Sequence, residues 1–338
     1  MVPYTPPAVV RSIPIIDLGP SFGVSDEGRR EVAWEIHKAC RATGFFLISN
    51  HQVSAALVAS QFEFSKRFFD LPLAARLHLH MANSPTHAGY EPVGGQTLDS
   101  DTPPDLKESF YVNQDLPDAH PYVRARLRGY GGNLWPDLPG FREQMLAQYR
   151  AMDSLARHLM RLLALSLDLE AAHFERYFAC PSATLRLIKY PPHPANARAN
   201  QLGAGAHTDW GSVTILAQDD IGGLEVENAA GEWIAAPPAP GTFTINLGDM
   251  FNRWTNGLYR SNPHRVLNNH APGRDRYSIP YFFSPDHMAR IDCLPSCTDA
   301  DHPPLYPSCT AGEHLDEMFR RSYGLLDGSR APNETVDA

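Results

Sequence analysis

At residues 206–211 the chain reads AHTDWG, and this stretch lies early in a series of short β-type segments. Turn residues such as those at 219–220 and 222–223 separate the segments. About eight short strands at this spacing are typical of an antiparallel barrel built from two facing sheets, the cupin-like jelly roll or double-stranded β-helix. The predicted strands are 184–190, 205–209, 212–217, 223–227, 232–235, 242–247, 263–267 and 276–284.

The segments around this barrel are largely helical, so the predicted fold class is mixed α and β. Ser25 or Asp26 can cap a helix that ends near residue 42, and apolar repeats of three or four residues predict further helices. These further helices are 53–69, 141–167 and, closing the chain, 312–321. Short strands are predicted at 13–18 and 44–48, and mostly loops at 80–138. We expect a helical and strand-containing N-terminal region (1–138) and a region of long helix, catalytic barrel and C-terminal helix (139–338), forming one folded unit.

Composition excludes several classes of function. The net charge of −9 comes from 29 basic and 38 acidic residues without a basic run, which argues against nucleic-acid binding. Residues 1–20 contain neither a signal peptide nor a membrane span, so a cytoplasmic location is the default expectation. Five cysteines suit a reducing compartment, and the loose group Cys293, Cys297 and Cys309 fits no usual zinc spacing. We expect a monomer or weak homo-oligomer that acts on a small molecule.

Two histidines and one aspartate are the candidate metal ligands. His207 and Asp209 lie in a β-type stretch, where residues i and i+2 project from the same face and can bind one ion together. His264 lies on a later predicted strand, which we expect opposite the first pair across a narrow barrel. Such a set can hold Fe(II) on one triangular face and leave positions for a co-substrate and O2. Catalytic zinc sites use mainly three His or two His and a Glu.

Two other His-x-acid pairs in the sequence serve as internal comparisons. His173 with Glu175, and His314 with Asp316, lie in helical patterns. Residues i and i+2 of a helix point in different directions, so neither pair is expected to share one metal ion.

Arg276 and Ser278 are the candidate anchor for a co-substrate. They share one face of the last predicted strand, which we expect to pair antiparallel with the strand of His264. A guanidinium binds a carboxylate through two charge-assisted hydrogen bonds, and a hydroxyl can add a third. Tyr190 ends a strand beside the metal segment, and either its hydroxyl contacts the same carboxylate or it is a core residue.

With these residues in view, the chain resembles the iron(II)/2-oxoglutarate dioxygenases of the isopenicillin N synthase-like family, which includes plant hormone and flavonoid oxidases and the bacterial ethylene-forming enzyme. The resemblance runs along most of the chain. It rests on IPIIDL (13–18), GFFLISNH (44–51), FFDLP (68–72), AHTDWG (206–211), GGLEV (222–226), NLGD (246–249) and SNPHRV (261–266).

The resemblance implies an enzyme whose cofactors are Fe(II), 2-oxoglutarate as co-substrate and O2. His207, Asp209 and His264 would then bind iron, and Arg276 with Ser278 would bind the distal carboxylate of 2-oxoglutarate. Tyr190 matches the family's Tyr-Pro position, whereas Ile188 stands where plant members often have Asn. The implied reaction decarboxylates 2-oxoglutarate to succinate and CO2 and couples this to hydroxylation, desaturation or cyclisation of a small organic substrate.

Two alternatives stay open from the sequence. The first is an iron oxidase that uses no keto acid, because some relatives, such as isopenicillin N synthase, have the same Arg-x-Ser pair without that co-substrate. The second is a non-catalytic jelly-roll binding module. Aromatic residues suggest that the substrate is partly apolar. The substrate pocket is expected among residues 82–114, Trp210, 251–254 and 281–283. Arg186, Arg253 or Arg260 is expected to contact a substrate carboxylate. Asp249 is expected to cap a helical turn over 249–254.

Overall fold

A computed structural model describes residues 4–7, 9–194, 197–198, 200–268 and 273–323. Ser25 accepts a hydrogen bond from the backbone N–H of Glu27 and so caps the first helix, as its sequence predicts. The sequence also predicts a turn at 269–274, before the last barrel strand, and residues 269–272 of it lie outside the described residues. The helices are α1 Asp26–Ala42, α2 Ala55–Phe69, α3 Leu73–His78, α4 Pro121–Arg124, α5 Phe141–Ser166, α6 Asp249–Trp254 and α7 Ala311–Ser322.

Two sheets build the jelly-roll core. The larger has the strand order β1-β2-β10-β7-β12-β5-β4-β3, and the smaller has the order β6-β11-β8-β9. The strands are β1 Ile15–Asp17, β2 Phe45–Ser49, β3 Gly89–Glu91, β4 Glu108–Asn113, β5 Pro181–Tyr190, β6 Ala204–His207, β7 Val213–Gln218, β8 Leu224–Glu227, β9 Trp233–Ala235, β10 Phe243–Leu247, β11 His264–Val266, β12 Arg276–Asp286, β13 Arg290–Ile291 and β14 Cys309–Thr310.

All eight predicted barrel strands are present, and the chain passes repeatedly from one sheet to the other. Residues of both sheets meet in a small apolar cluster inside the barrel, where Ile188 and Tyr190 of β5 pack with Ala204, Leu224 and Val266 of the small sheet. This cluster gives the barrel a dry interior next to the ends of β6 and β11.

The helices cover the outer face of the large sheet. The apolar residues of α5 recur every three or four positions, and Met145, Met152, Leu155, Leu159 and Leu163 are all buried in the main hydrophobic core. α1 and α2 pack against α5, and all three helices also contact strands of the large sheet. Burying one apolar stripe on each helix fixes the layer order of helices on sheet.

Two expectations about neighbouring segments are wrong, and the prediction of mostly loops at 80–138 is confirmed. β11 pairs with β6, so His264 lies directly beside His207 and not across the barrel. β12 pairs with β5 and β7 rather than with β11, because the chain crosses from the small sheet to the large one between β11 and β12. The region 80–138 is mostly irregular, but its strands β3 and β4 extend the large sheet beyond β5.

The N-terminal region contributes strands at both edges of the large sheet. β1 and β2 adjoin β10, and β3 and β4 adjoin β5. The division near residue 138 stays a prediction. Among the described residues, no helix has both the length and the apolar character needed to cross a bilayer.

Candidate metal centre and adjoining cleft

His207, Asp209 and His264 converge at one end of the small sheet. Each offers one ligand atom, and these three atoms lie within 4.8 Å of one another. Nε2 of His207 lies 4.0 Å, and Nε2 of His264 3.8 Å, from Oδ1 of Asp209. Within the described part of the chain, no other group of three His, Cys, Asp or Glu side chains is arranged in this way. The cluster has the donor set of a site that binds one metal ion facially.

The two histidines are neighbours because β6 and β11 pair with His207 opposite His264. Asp209 lies past the end of β6, so the expectation that one strand carries both His207 and Asp209 is wrong. The backbone N–H of Asp249, at the start of α6, donates to the carbonyl oxygen of Asp209 at 2.8 Å. This bond places the carboxylate after the strand has ended.

Hydrogen bonds orient each ligand atom toward the centre. Nδ1 of His207 lies 2.7 Å from the carbonyl oxygen of Gly205, and Nδ1 of His264 lies 3.3 Å from that of Asn262. A carbonyl oxygen only accepts, so each Nδ1 carries a proton, and in the neutral form of the ring the lone pair is then on Nε2, where a metal can bind.

The aspartate is oriented in the same way. Its Oδ2 accepts hydrogen bonds from Thr214 Oγ1 at 2.5 Å and from Asn246 Nδ2 at 2.6 Å. Thr214 and Asn246 are directly opposed on the paired strands β7 and β10, so both donors reach the same oxygen. Oδ1 is therefore left to face the two imidazoles.

The protonation states suit metal binding. Burial, with the neighbouring His264, lowers the pKa of His207 to about 3, which keeps this imidazole neutral at physiological pH. Burial opposes ionisation of Asp209, but the adjacent imidazoles and the hydrogen bonds from Asn246 and Thr214 outweigh it and lower its pKa. A neutral His and an ionised Asp are the forms in which these side chains bind a cation.

Asp249 ties the two ligand-bearing segments together. Its Oδ2 accepts from Thr208 at 3.2 Å and its Oδ1 from Ser261 at 2.8 Å. The expectation that Asp249 caps α6 is wrong, because Gly248 occupies the cap position and the Asp249 side chain reaches sideways to these two hydroxyls. A Cβ on Gly248 would lie 2.7 Å from the carbonyl oxygen of Asp209, so only glycine allows this approach.

Arg276 is buried in the large sheet beside Tyr190. Its guanidinium carbon lies 4.7 Å from the centroid of the Tyr190 ring, and the two residues are opposed in the β12–β5 register. Arg276 is 2% exposed, and Nη2 donates to Gln218 Oε1 at 2.9 Å. Nε and Nη1 have no partner among the described residues. Ser278, also buried, lies two positions further along the same strand face.

A cleft of about 1080 Å³, including its mouth, opens beside the metal cluster. His207, Asp209 and Trp210 lie on one wall, and α7 contributes another. The predicted region 82–114 also lines it, as do parts of β5 and β12. The residues that the cleft draws from these segments include Thr86, Gln96, Tyr111, Asn113, Arg186, Phe282, Leu315 and Phe319.

Other predicted pocket residues lie elsewhere. Phe251 and Trp254 are wholly buried in the main core, since α6 turns its apolar face toward it. Neither Arg253 nor Arg260 lines the cleft, so Arg186 is the one of the three candidate arginines that does. Tyr281 and Phe283 are core residues, and Phe282 between them faces the cleft because strand side chains alternate.

Neither comparison pair belongs to a group of three candidate ligand side chains among the described residues. His314 and Asp316 lie on α7, where His314 is 4.0 Å from Asp249 and Asp316 is paired with Arg128. His173 lies in a turn and not in a helix, and Glu175 begins a single 3-10 turn. All five cysteines are free thiols.

Two models of known protein families match this chain, one in its N-terminal region and one in its barrel. A family model described as the 2OG-Fe(II) oxygenase superfamily matches residues 181–285, and one described as non-haem dioxygenase in morphine synthesis N-terminal matches residues 13–138. The 2-oxoglutarate-Fe(II) type oxidoreductase hxnY of Emericella nidulans is 37% identical over 324 residues, covering 93% of this chain and 91% of that protein. The chain belongs to the 2OG-Fe(II) oxygenase superfamily.

Solved structures of related oxygenases share its fold. A 2OG-Fe(II) oxygenase family protein of Caulobacter crescentus superposes with a TM-score of 0.81 at 30% identity, covering 92% of this chain and 99% of the other. A Neurospora crassa protein solved with alpha-KG and 5-formyluracil superposes with a TM-score of 0.80 at 28% identity, covering 92% and 96%.

The present 2OG-Fe(II) oxygenase therefore uses Fe(II), 2-oxoglutarate and O2, and it couples decarboxylation of the keto acid to oxidation of a small organic substrate. This assignment favours the 2-oxoglutarate-dependent interpretation over the keto-acid-independent oxidase and the non-catalytic module. The donor set of two His and one Asp, and a buried guanidinium with unpartnered nitrogens, both fit these cofactors.

Proposed function

We propose that His207, Asp209 and His264 bind the catalytic Fe(II), and that Arg276 and Ser278 bind the distal carboxylate of 2-oxoglutarate. The observation that carries this proposal is the pairing of two features in one barrel. Three ligand atoms lie within 4.8 Å of one another, and a guanidinium that is 2% exposed has no acidic partner among the described residues. A buried cation without a counter-ion is costly, so it favours an anion such as a carboxylate.

Iron bound at this site would supply the redox chemistry that activates O2. The chain's own residues supply position and protonation. The neutral imidazoles of His207 and His264 would present Nε2 to the metal, since each Nδ1 is hydrogen-bonded to a backbone carbonyl oxygen. Asp209 would present Oδ1, because its Oδ2 accepts hydrogen bonds from two donors. Arg276 would hold the distal carboxylate of the keto acid. In the coupled reaction, one oxygen atom of O2 enters succinate as CO2 leaves. The other oxygen atom enters the product in a hydroxylation, or leaves as water with two hydrogen atoms of the substrate in a desaturation or cyclisation.

Tyr190 is proposed to support the co-substrate site through its ring. The Arg276 guanidinium stacks on that ring, and the ring itself is buried in the inner apolar cluster. Cation–π contact and close packing would hold Arg276 in one rotamer before the carboxylate arrives. The proposed occupant of the cleft is a small molecule, because the cleft adjoins the metal cluster and has both apolar and polar walls. Cytoplasmic location and a monomeric or weakly homo-oligomeric state remain predictions.

The test is a pair of arginine variants. Arg276→Gln should raise the Kd for 2-oxoglutarate by about a hundredfold or more, because one partner of a buried ion pair is lost. Arg274→Gln is the matched control, since Arg274 lies two positions earlier and pairs with Asp220 on the surface. Calorimetry on the protein loaded with Mn(II) without oxygen measures both. If Arg276→Gln binds 2-oxoglutarate like the parent, the assignment of the carboxylate anchor is wrong.

The metal ligands are tested separately. His207→Ala should abolish Fe(II)-dependent release of CO2 from 2-oxoglutarate and should lower metal affinity, because it removes one of three ligands. Retained Fe(II)-dependent turnover in this variant would contradict the proposed ligand set. Circular dichroism of the variant checks that the barrel is folded.

A further inference from the structure

The barrel contains a second buried arginine that differs from Arg276 in one respect. Arg186, on β5, is 6% exposed and lines the cleft. Its Nη2 donates to Glu91 Oε2 at 3.0 Å and to Gln96 Oε1 at 3.1 Å. Among the described residues, Arg276 donates a hydrogen bond only to the neutral Gln218, whereas Arg186 has a carboxylate partner. The positive charge of Arg186 is therefore already balanced by the protein.

Arg186 nevertheless keeps free hydrogen-bond donors. Its Nε is buried without a partner, and none of the described residues accepts a hydrogen bond from its Nη1. The guanidinium carbon lies 4.4 Å from the centroid of the Tyr111 ring, which is opposite Arg186 in the β4–β5 register. One edge of the guanidinium is thus held by Glu91 and Gln96, one face is covered by Tyr111, and donors remain for a ligand.

Glu91 is itself fixed in place. Its Oε2 accepts a hydrogen bond from the Tyr111 hydroxyl at 2.8 Å, and its Oε1 accepts from the Tyr323 hydroxyl at 2.8 Å. Glu91 and Gln96 are both buried. The buried polar side chains around Arg186 are therefore hydrogen-bonded to one another, and the unpartnered nitrogens of Arg186 are the donors that this network leaves unused.

Every other cation near this wall also has a carboxylate partner. Lys107 is paired with Asp105, and Arg128 lies 3.3 Å from Asp316. In the metal site, a divalent ion, Asp209, the dianionic co-substrate and Arg276 together carry no net formal charge. A carboxylate entering beside Arg186 would therefore add a buried charge without a counter-ion, which is unfavourable. An uncharged acceptor would form the hydrogen bond without that cost.

Aromatic rings shape the rest of the cleft. Trp210, Phe282 and Phe319 line it, together with Tyr111. Ring faces favour flat ligands, because stacking buries apolar surface on both partners. The cleft thus combines flat apolar walls with two charge-balanced arginines, Arg128 and Arg186. Arg128 also has unpartnered Nε and Nη1 atoms, but its side chain is 29% exposed, whereas Arg186 is 6% exposed and is held by two acceptors.

We propose that Arg186, held by Glu91 and Gln96, recognises a carbonyl oxygen of an uncharged planar substrate, such as an amide, lactam or imide. This inference rests on the proposed function, since it takes the cleft as the substrate site of the iron centre. Arg186 is the specificity-determining residue in this assignment, and Glu91 sets its preference for a neutral group over a carboxylate.

The first experiment compares matched probes on the enzyme loaded with Mn(II) and 2-oxoglutarate without oxygen. Calorimetry measures nicotinamide against nicotinate, indole-3-acetamide against indole-3-acetate, and thymine against 5-carboxyuracil. We expect at least one neutral member to bind about tenfold or more tightly than its acid. A series in which no neutral member binds, or in which the acids bind more tightly, overturns the proposal.

The second experiment removes the balancing charge. Glu91→Gln keeps the shape of the side chain but leaves Arg186 without a counter-ion, so we expect the acid members to gain about tenfold or more in affinity. Asp115→Asn is the matched control, because it neutralises an exposed partner of Arg142 and neither residue lines the cleft. Acid affinities that stay at parental values in Glu91→Gln contradict the assigned role of Glu91.

The third variant removes both charges. Glu91→Gln with Arg186→Gln keeps the wall neutral and leaves no unpaired buried ion, so it is the variant of Arg186 that we expect to fold. Neutral probes should lose about tenfold in affinity, and unchanged affinity overturns the role of Arg186. The Kd for 2-oxoglutarate is measured on the same samples. Failure of the probes with normal 2-oxoglutarate binding refutes this inference alone, whereas loss of 2-oxoglutarate binding in the parent refutes the proposed function.

Discussion

Thr214→Val tests whether hydrogen bonding to Asp209 sets the affinity for metal. Thr214 is 4% exposed, and valine matches threonine in shape, so the change removes little besides the 2.5 Å bond from Oγ1 to Asp209 Oδ2. A hydrogen bond to a charged group contributes about 1.5–3 kcal/mol, which corresponds to about 10- to 150-fold in an equilibrium constant. Asn246 still holds the same oxygen. We therefore expect the Kd for Fe(II) to rise by about 10- to 100-fold.

The assay is a titration of the metal-free protein with Fe(II) under nitrogen, followed by calorimetry. Thr244→Val is the control, because Thr244 is similarly buried on the adjacent strand β10. Its hydroxyl accepts a hydrogen bond from Gln218 Nε2, whereas the Asp209 carboxylate accepts from Thr214 and Asn246. The control should keep parental metal affinity. A folded Thr214→Val protein that binds Fe(II) as tightly as the parent would refute the reasoning, since Asp209 would then need only one donor.

Two further variants probe the surroundings of the centre. Gly248→Ala should lower the free energy of unfolding in urea by about 1–3 kcal/mol, because the added Cβ would meet the carbonyl oxygen of Asp209. Gly132→Ala is the control, since its Cβ would meet nothing within 4 Å, and equal losses of stability in the two variants would contradict the crowding at Gly248. Burial and the charge of Arg253 lower the pKa of His314 to about 4, below its value of 6.5 in the unfolded chain. As pH falls below 6.5 the unfolded chain takes up this proton first, so stability is lost progressively toward pH 4, by about 2 kcal/mol at pH 5. His314→Gln should lose less stability than the parent between pH 7 and 5, and identical losses would show that His314 does not titrate in this way.

The barrel strands and main helices followed from the sequence because apolar alternation reports which residues are buried. Alternation does not report which strands are neighbours. The pairing of His264 with His207, and of Arg276 with Tyr190, depends on how the chain alternates between the sheets. For this reason His264 was predicted on the wrong side of the barrel although its strand was predicted correctly.

The three ligand residues and the arginine were identifiable from their types and spacing, but their supporting residues were not. Thr214 and Asn246 act on Asp209 only because the β7–β10 register opposes them. The even spacing of Thr214 and Gln218 predicts that both lie on one face of β7. It does not predict that this face contacts Asp209 and Arg276, which depends on the strand register. The side of α7 that borders the cleft was likewise hidden, because its apolar stripe resembles that of any packed helix.

The cleft takes its walls from distant parts of the polypeptide. Gln96 comes from the N-terminal region, Arg186 from the centre of the chain and Phe319 from the final helix. The proposed metal ligands instead come from β6, the residues directly after it, and β11. We therefore expect mutations in these outer segments to change which molecules bind in the cleft more than they change binding at the proposed metal ligands. Such a division lets one reaction be inherited intact while the repertoire of molecules diverges.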